Sequence, residues 1–419
     1  LTDPVANPTA CDSHREKRYH HQRSSAVSAP STVSEKPALL RVNAVIFIAF
    51  PIIALITVPL WGLAHGYDSF QWLWALAFLY LNGIGITGGY HRLWAHKAYD
   101  AHPALRVFYA LWGAGALQNS ILVWASDHRR HHRHVDDDQR DPYSAGRGLW
   151  FSHMGWILRE YRPQVDDFSN VPDILRDPVA RWQHRHYIAI TTFMNLGLPA
   201  LLGWWHGDII GCILLIGLAR LVLNHHVTFF INSLAHYWGK QPYTDENSAR
   251  DNGFLAFLTY GEGYHNFHHL FQNDYRNGVR WWQWDPTKWF IALCGWLGLA
   301  RRLNRVPRYK IERAILAEQF RRADRTLAAS DNVDSLREIL EREYQLFLQS
   351  ANQWKALQAE RYGRGVAQIE DAIDRERQKL QDKWQRAAVR TRFRELEYSL
   401  KMQRKRLELL ILQASSVRA

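Results

Sequence analysis

The chain has 419 residues, 13% of them aromatic with 19 Trp, and a formal charge of +12. Its three cysteines, Cys11, Cys212 and Cys294, exclude a disulfide scaffold and leave no C-x-x-C zinc pattern. Basic residues are interleaved with acids, which argues against a nucleic-acid partner and for a membrane protein with basic loops on one face.

Residues 1–40 are polar, without a periodic apolar face or a secretory signal pattern, and read as a flexible tail. Val42–Ala64 then carries no charge over 23 residues, and Trp72–Tyr90 is uncharged again after a seven-residue gap. Tyr187–Trp205 and Ile209–Ile231 make a second pair, separated by His206, Gly207 and Asp208, with Arg220 interrupting the last segment. Each is close to the roughly 20 residues that cross a bilayer as a helix. Four spans (about 42–64, 72–90, 187–205 and 209–231) put both termini and the 91–186 segment on one side. That segment holds 13 Arg/Lys and the turns at 65–71 and 206–208 hold none, so the positive-inside rule predicts a cytoplasmic common side.

Leu105–Ala125 is apolar but contains Arg106, Gln118 and Asn119, and Trp289–Ala300 is only 12 residues long. Both are expected as interfacial or re-entrant helices packed beneath the spans. The membrane domain is placed at 41–308. Beyond it, residues 309–419 form a charged helical extension, with 22 Arg/Lys and 17 Asp/Glu in 311–419 and no His or Cys. Gly363 and Gly365 offer a break between two helices of a hairpin or short coiled coil, and Ile369, Ile373 and Leu380 a seam.

The chemistry lies in the histidines. His91 and His96 follow the second span, and His128, His131 and His132 form an H-x-x-H-H group with His134 behind it. Asn232 and His236 follow the fourth span, and His265, His268 and His269 repeat H-x-x-H-H. Positions i, i+3 and i+4 of a helix project to one side, so each triplet can aim several imidazoles inward. His91 and His96, five apart, need not share a face. All four groups fall at the same end of the predicted bundle, where one site can collect them.

Nine imidazoles, leaving out His134, exceed what one ion uses and imply two. Imidazole suits Fe, Zn, Cu or Ni. Glu262-Gly-Tyr-His265 is the one pair resembling the Glu-x-x-His of soluble carboxylate di-iron bundles, so the site is His-dominated. Asp127 and Glu262 are placed to accept hydrogen bonds behind the ligands. A redox pair of irons that reduces O2 can attack an unactivated C–H bond, which suits an apolar substrate arriving from the membrane.

These residues resemble the membrane fatty acyl desaturases, especially their acyl-CoA delta-9 branch, across about residues 40–300. The boxes H-x-x-x-x-H, H-x-x-H-H and H-x-x-H-H occur in order, within GGYHRLWAHKAY, WASDHRRHH and GEGYHNFHH, along with DPYSAGRGLWFSHMGW and NSLAH. The resemblance implies an all-α membrane fold, four transmembrane helices topped by a cytosolic helical cap. It implies that His91, His96, His128, His131, His132, His236, His265, His268 and His269 ligate two irons, with Asn232 acting through a water. The acyl chain would enter a narrow bent tunnel, and O2 would become water as a cis double bond forms in a C16 or C18 chain, at delta-9. Gln118, Asn119, Trp124 and Arg147 match substrate-binding segments of the family. The substrate would be a long-chain acyl-CoA or a lipid-linked acyl chain.

No iron–sulfur or dinucleotide motif is present, so electrons are expected from an external ferredoxin-like or cytochrome b5-like carrier with its reductase. The expected location is a bacterial inner membrane with cytoplasmic termini. The alternatives are a di-iron hydroxylase and, as a non-enzyme, a metal-binding membrane sensor or scaffold.

Overall fold

The structure is a computed structural model that describes residues 37–161, 168–328, 334–367 and 375–416. Helices α1 (Arg41–His65) and α2 (Ser69–Ala95) form one antiparallel pair, long and apolar enough to cross a membrane. Beyond α2, helices α3 (Pro103–Ala114) and α4 (Ile121–His134) begin a helical cap. A second membrane-length pair follows, α5 (Tyr187–His206) and α6 (Ile209–Tyr237). The cap is completed by α7 (His265–Leu270) and α8 (Pro286–Trp296). Three long helices end the described chain: α9 (Arg308–Ala328), α10 (Asp334–Ala367) and α11 (Arg375–Ser416). The one sheet among the described residues pairs β1 (Asp100–Ala101) with β2 (Ala300–Arg301), antiparallel, and ties the exit of α2 to that of α8.

The two membrane-length pairs share their turn chemistry. Asp68 caps α2 through Gln71 N at 3.1 Å while the Gln71 side chain accepts from Asp68 N at 3.0 Å, a reciprocal capping box. Asp208 caps α6 through Gly211 N at 2.8 Å. Asp208 also accepts from Gln71 at 2.9 Å and Trp61 at 3.2 Å, and Asp68 meets His206 at 2.8 Å. One polar cluster thus fastens both turns at the end of the bundle opposite the histidines. The outward faces are apolar, with Leu63 86% exposed, as a lipid-facing surface requires.

The apolar stretch Leu105–Ala125 is not one helix. Leu117 and Asn119 take left-handed conformations, φ 52° and 73°, and break it between α3 and α4. The carbonyls left open at the end of α3 are met by Thr191 (Ala114 O, 2.8 Å), Arg220 (Gly115 O, 3.1 Å) and His225 (Ala116 O, 3.0 Å). Arg220, which interrupts the fourth apolar segment in sequence, is therefore buried for a reason: its cation rests at a helix C-terminus.

Residues 38–40, expected as tail, instead pair with 158–160: Leu40 N donates to Leu158 O and Glu160 N to Ala38 O, both at 2.9 Å. Residues 1–36 of that tail lie outside the described residues. The extension is a three-helix bundle rather than a hairpin, because Leu316, Phe320, Phe347, Trp354, Leu400 and Leu407 from all three helices share a core of their own. Helix α10 runs through Gly363 and Gly365 to Ala367. Two glycines cost about 1 kcal/mol each, which propagation of a long packed helix absorbs. Of the expected seam, Ile369, Ile373 and the Leu380 side chain lie outside the described residues. The bundle docks on the cap through Arg321–Glu246 at 3.0 Å and Arg325–Asp245. A groove of about 890 Å³ remains between them, lined by Tyr243, Phe271, Tyr309 and Arg313 among others.

Candidate metal centre

The first histidine pair depends on a change of winding. The last eleven residues of α2, Gly85–Ala95, wind as a π-helix, and His96 N donates to His91 O at 3.0 Å to close an i→i+5 turn. A five-residue spacing spans one hydrogen-bonded i→i+5 loop of that helix, a little more than a full turn. His91 and His96 consequently lie on one side, ring centroids 4.7 Å apart, where an α-helical reading gave them no common face.

Helix α7 is only six residues long and needs outside support. Asn266 supplies it, donating to Thr244 O at 2.7 Å and Ala249 O at 2.9 Å and accepting from Tyr243 N at 3.0 Å. Gly263, just before α7, lies so near another backbone that a Cβ there would stand 2.1 Å from Ala256 N.

The nine expected histidines come together as two groups, all buried except the half-buried His132. His91, His96, His128, His132 and His268 form the first, and His131, His236, His265 and His269 the second; within each, the ligand nitrogens all lie within 4.8 Å of one another. The two H-x-x-H-H triplets are shared between them. The i and i+4 members of α4 (His128, His132) join the i+3 member of α7 (His268). Conversely, the i and i+4 members of α7 (His265, His269) join the i+3 member of α4 (His131). On an α-helix, i and i+4 follow one ridge and i+3 the next, so each triplet naturally serves two centres. His134 belongs to neither group.

The donor set fits metal ions. Nε2 faces Nε2 at 2.9 Å (His91–His268), 2.8 Å (His96–His128), 3.0 Å (His132–His268), 3.3 Å (His131–His269) and 3.1 Å (His265–His269). Nitrogens about 2.05 Å from a shared ion are separated by about 2.9 Å along an octahedral edge and about 3.3 Å along a tetrahedral one. Hydrogen bonding does not explain the arrangement, since His268 Nε2 faces two other ring nitrogens and can carry one proton at most. Burial, and then the neighbouring imidazoles, hold His96, His128, His265, His268 and His269 well below the ordinary histidine value, which leaves them neutral, with ring lone pairs able to bind a metal.

Carboxylates orient the rings from behind. Glu262 stands 3.1 Å from His91 Nδ1. Burial alone would raise its pKa, but the contacts with His91 and the Arg92 guanidinium bring it down to about 2. Buried Arg92 pairs with Glu262 at 2.8 Å and Asp285 at 3.1 Å, and Asn277 donates to Glu262 at 2.6 Å. Asp141 takes the same place behind His131 Nδ1 at 2.9 Å. Asp141 and Arg92 escaped the sequence reading; the acid-rich run after His134 was a signal for the former, but nothing local distinguished Asp141 from its neighbours. Asp127 meets Arg130 at 3.2 Å.

A narrow cavity of about 70 Å³ reaches the site, lined by Ile86, Thr87, Trp156, Ile157, Phe229 and Ile231 and by His91, His128, Glu262 and His265. Gln118, Asn119, Trp124, Asp127 and Asn232 also line it. Trp124 stacks on His128 with centroids 4.7 Å apart, and Gln118 donates to Thr228 at 2.9 Å. Arg147 is not among these lining residues. Its guanidinium is drawn instead over the rings of Phe151 and Tyr161, at 3.6 and 4.5 Å.

The fatty acid desaturase family profile matches residues 69–302, which include all nine histidines. The chain belongs to the fatty acid desaturase family. It is a membrane protein with four helices long and apolar enough to span. It is 42% identical over 280 residues to a "Probable acyl-CoA desaturase" of Schizosaccharomyces pombe, covering 67% of this chain and 58% of that one. "Acyl-CoA desaturase 1" of Saccharomyces cerevisiae is 42% identical over 257 residues, covering 61% and 50%. The "sn-2 palmitoyl-lipid 9-desaturase" of Nostoc is 36% identical over 280 residues, covering 65% and 92%. This desaturase-family chain thus spans 58% and 50% of the length of the two yeast relatives.

Proposed function

We propose that this protein is an O2-dependent fatty acyl desaturase that introduces a cis double bond at delta-9 into a C16 or C18 chain carried on CoA. The reaction consumes O2, two electrons and two protons and yields two waters and the alkene. The observation that carries the reading is the juxtaposition of two largely buried all-histidine groups with one narrow, mainly apolar cavity. The names of the yeast relatives support the CoA ester over a lipid-linked chain, and the Nostoc name supports position 9.

Two irons at the histidine groups supply O2 reduction and C–H cleavage when bound. The chain's own residues do the rest. Ile86, Ile157, Phe229 and Ile231 exclude water and hold methylenes in a narrow passage. Trp124, stacked on His128, fixes the wall nearest the first group. Gln118 and Asn119 offer amides to the polar end of the substrate, and Arg147, exposed on the cap, offers a cation to its phosphates. Asn232, four residues before His236 and facing the cavity, would approach one ion through a water. Electrons come from a separate ferredoxin-like or cytochrome b5-like carrier with its reductase. The basic cap faces the cytoplasm of a bacterial cell, with the Asp68–His206–Asp208 cluster on the far side of the inner membrane.

Reconstituted full-length protein should be given iron, stearoyl-CoA, O2 and a competent reductant, and its acyl product read by mass spectrometry. A loss of two hydrogens at C9–C10 is expected. A gain of oxygen would make it a hydroxylase, and an unchanged chain with both irons bound and reducible would leave a metal-binding scaffold.

A further inference from the structure

His236 differs from its partners in the second group. Its Nε2 is buried and has no hydrogen-bond partner, while its Nδ1 lies 2.7 Å from Ser248 Oγ. Ser248 is itself held by Asp136, whose carboxylate accepts from the Ser248 backbone N–H at 2.7 Å and from its hydroxyl at 2.5 Å. Asp136 has a left-handed backbone, φ 65°, a conformation Asp and Asn tolerate better than other non-glycine residues. It lies four residues beyond the second histidine box, so that turn reaches across to the segment between His236 and α7.

We infer that Asp136 and Ser248 are positioning residues that fix the tautomer of His236 and so complete the second metal centre. This rests on the metal reading above. The hydroxyl proton of Ser248 goes to the Asp136 carboxylate, which can only accept. Ser248 Oγ is then left to accept, and His236 Nδ1 must be the protonated nitrogen. The lone pair of Nε2 is consequently directed among His131, His265 and His269, where a ligand is required. The direct Asp136–Nδ1 separation of 3.9 Å makes Ser248 an obligatory link. His91 and His131 have carboxylates against Nδ1 directly. His236 obtains the same polarity through a hydroxyl, a weaker and more easily reversed constraint.

Asp136→Asn is the sharpest perturbation. It keeps size and left-handed tolerance. With its oxygen retained by the Ser248 N–H, its NH2 faces Ser248 Oγ and donates to it. The hydroxyl proton then turns toward His236 Nδ1, and the ring proton moves to Nε2, the atom that must be bare. Ser248→Ala removes the link, whereas Ser248→Thr keeps the hydroxyl.

The test titrates full-length, metal-stripped protein in detergent with Fe2+ under anaerobic conditions and counts retained ions against a competing chelator. Wild type should retain two ions per chain. D136N and S248A should hold one ion as tightly as wild type and the other about 10- to 100-fold more weakly. S248T should match wild type, because a merely structural role would leave Ser248→Thr and Ser248→Ala alike. Unchanged affinity for both ions in either removal variant, equal weakening of both, or S248T as weak as S248A would each overturn the inference. A wild type that never binds two ions would instead overturn the metal reading on which it rests.

Discussion

Acidifying the metal-stripped protein from pH 7 to pH 5.5 should destabilise it sharply. His96, His128, His265, His268 and His269 are buried and neutral, held well below the ordinary value first by burial and then by one another. In the unfolded chain they titrate near about 6.5. A folded pKa below the unfolded one means that the unfolded chain binds more protons in acid. The stability is therefore full above about pH 6.5 and falls as the pH drops below it. Between pH 7 and 5.5 each imidazole contributes about 1 kcal/mol, and the five together on the order of 5 kcal/mol, comparable with the whole stability of a typical domain. Thermal unfolding followed by Trp fluorescence, at constant ionic strength, should show the midpoint falling by on the order of 10 °C. Metal-loaded protein should resist the same acidification, since protons must displace ions from the same nitrogens. Coincident midpoints at pH 7 and 5.5 in the metal-free protein would show that the cluster is not buried in neutral form.

Other perturbations separate the parts of the account. Glu262→Gln puts an amide against His91 Nδ1 and weakens the buried pair with Arg92; metal should be lost from the first group about 10- to 100-fold more readily, with chelator competition as the measure. Gly263→Ala drives a Cβ onto the Ala256 backbone, so both α7-dependent centres should lose metal and the protein should unfold several degrees earlier in a thermal scan. Ile86→Phe, in the cavity wall, should abolish conversion of a C18 substrate while leaving iron content unchanged, as product analysis beside metal analysis would reveal. Removal of residues 308–419 should leave both metal centres filled, because the bundle core is separate from the histidine groups; loss of iron would place a structural support of the cap within the extension.

Much of this architecture was legible in the chain because it rests on local rules. Uncharged runs of about twenty residues can only be satisfied as helices in lipid, so four spans followed from composition. The histidine boxes were legible because spacing on a helix determines which side chains can converge. What escaped depends on winding or on distant contacts. The π-turn that brings His96 beside His91 has no marker in the string HRLWAH. The break between α3 and α4 requires left-handed Leu117 and Asn119, residues with no shared preference for that conformation, and is held by Arg220 and His225 from a distant helix. The same holds for Asp141, which reaches His131 only because the turn after α4 folds back, and for Arg147, whose aromatic neighbours Phe151 and Tyr161 draw it away from the cavity.

The most direct test of the two-centre account is the metal content of two single variants beside wild type. His268 belongs to the first group and His131 to the second, although each sits in an H-x-x-H-H box that serves both. Iron per chain, measured by mass spectrometry on protein passed through a chelating column, should be two for wild type. It should be one for His268→Ala and one for His131→Ala, with the surviving ion differing between them in its spectroscopic signature. Two ions retained in both variants, or the same surviving ion in each, would contradict the division of the nine histidines into two centres.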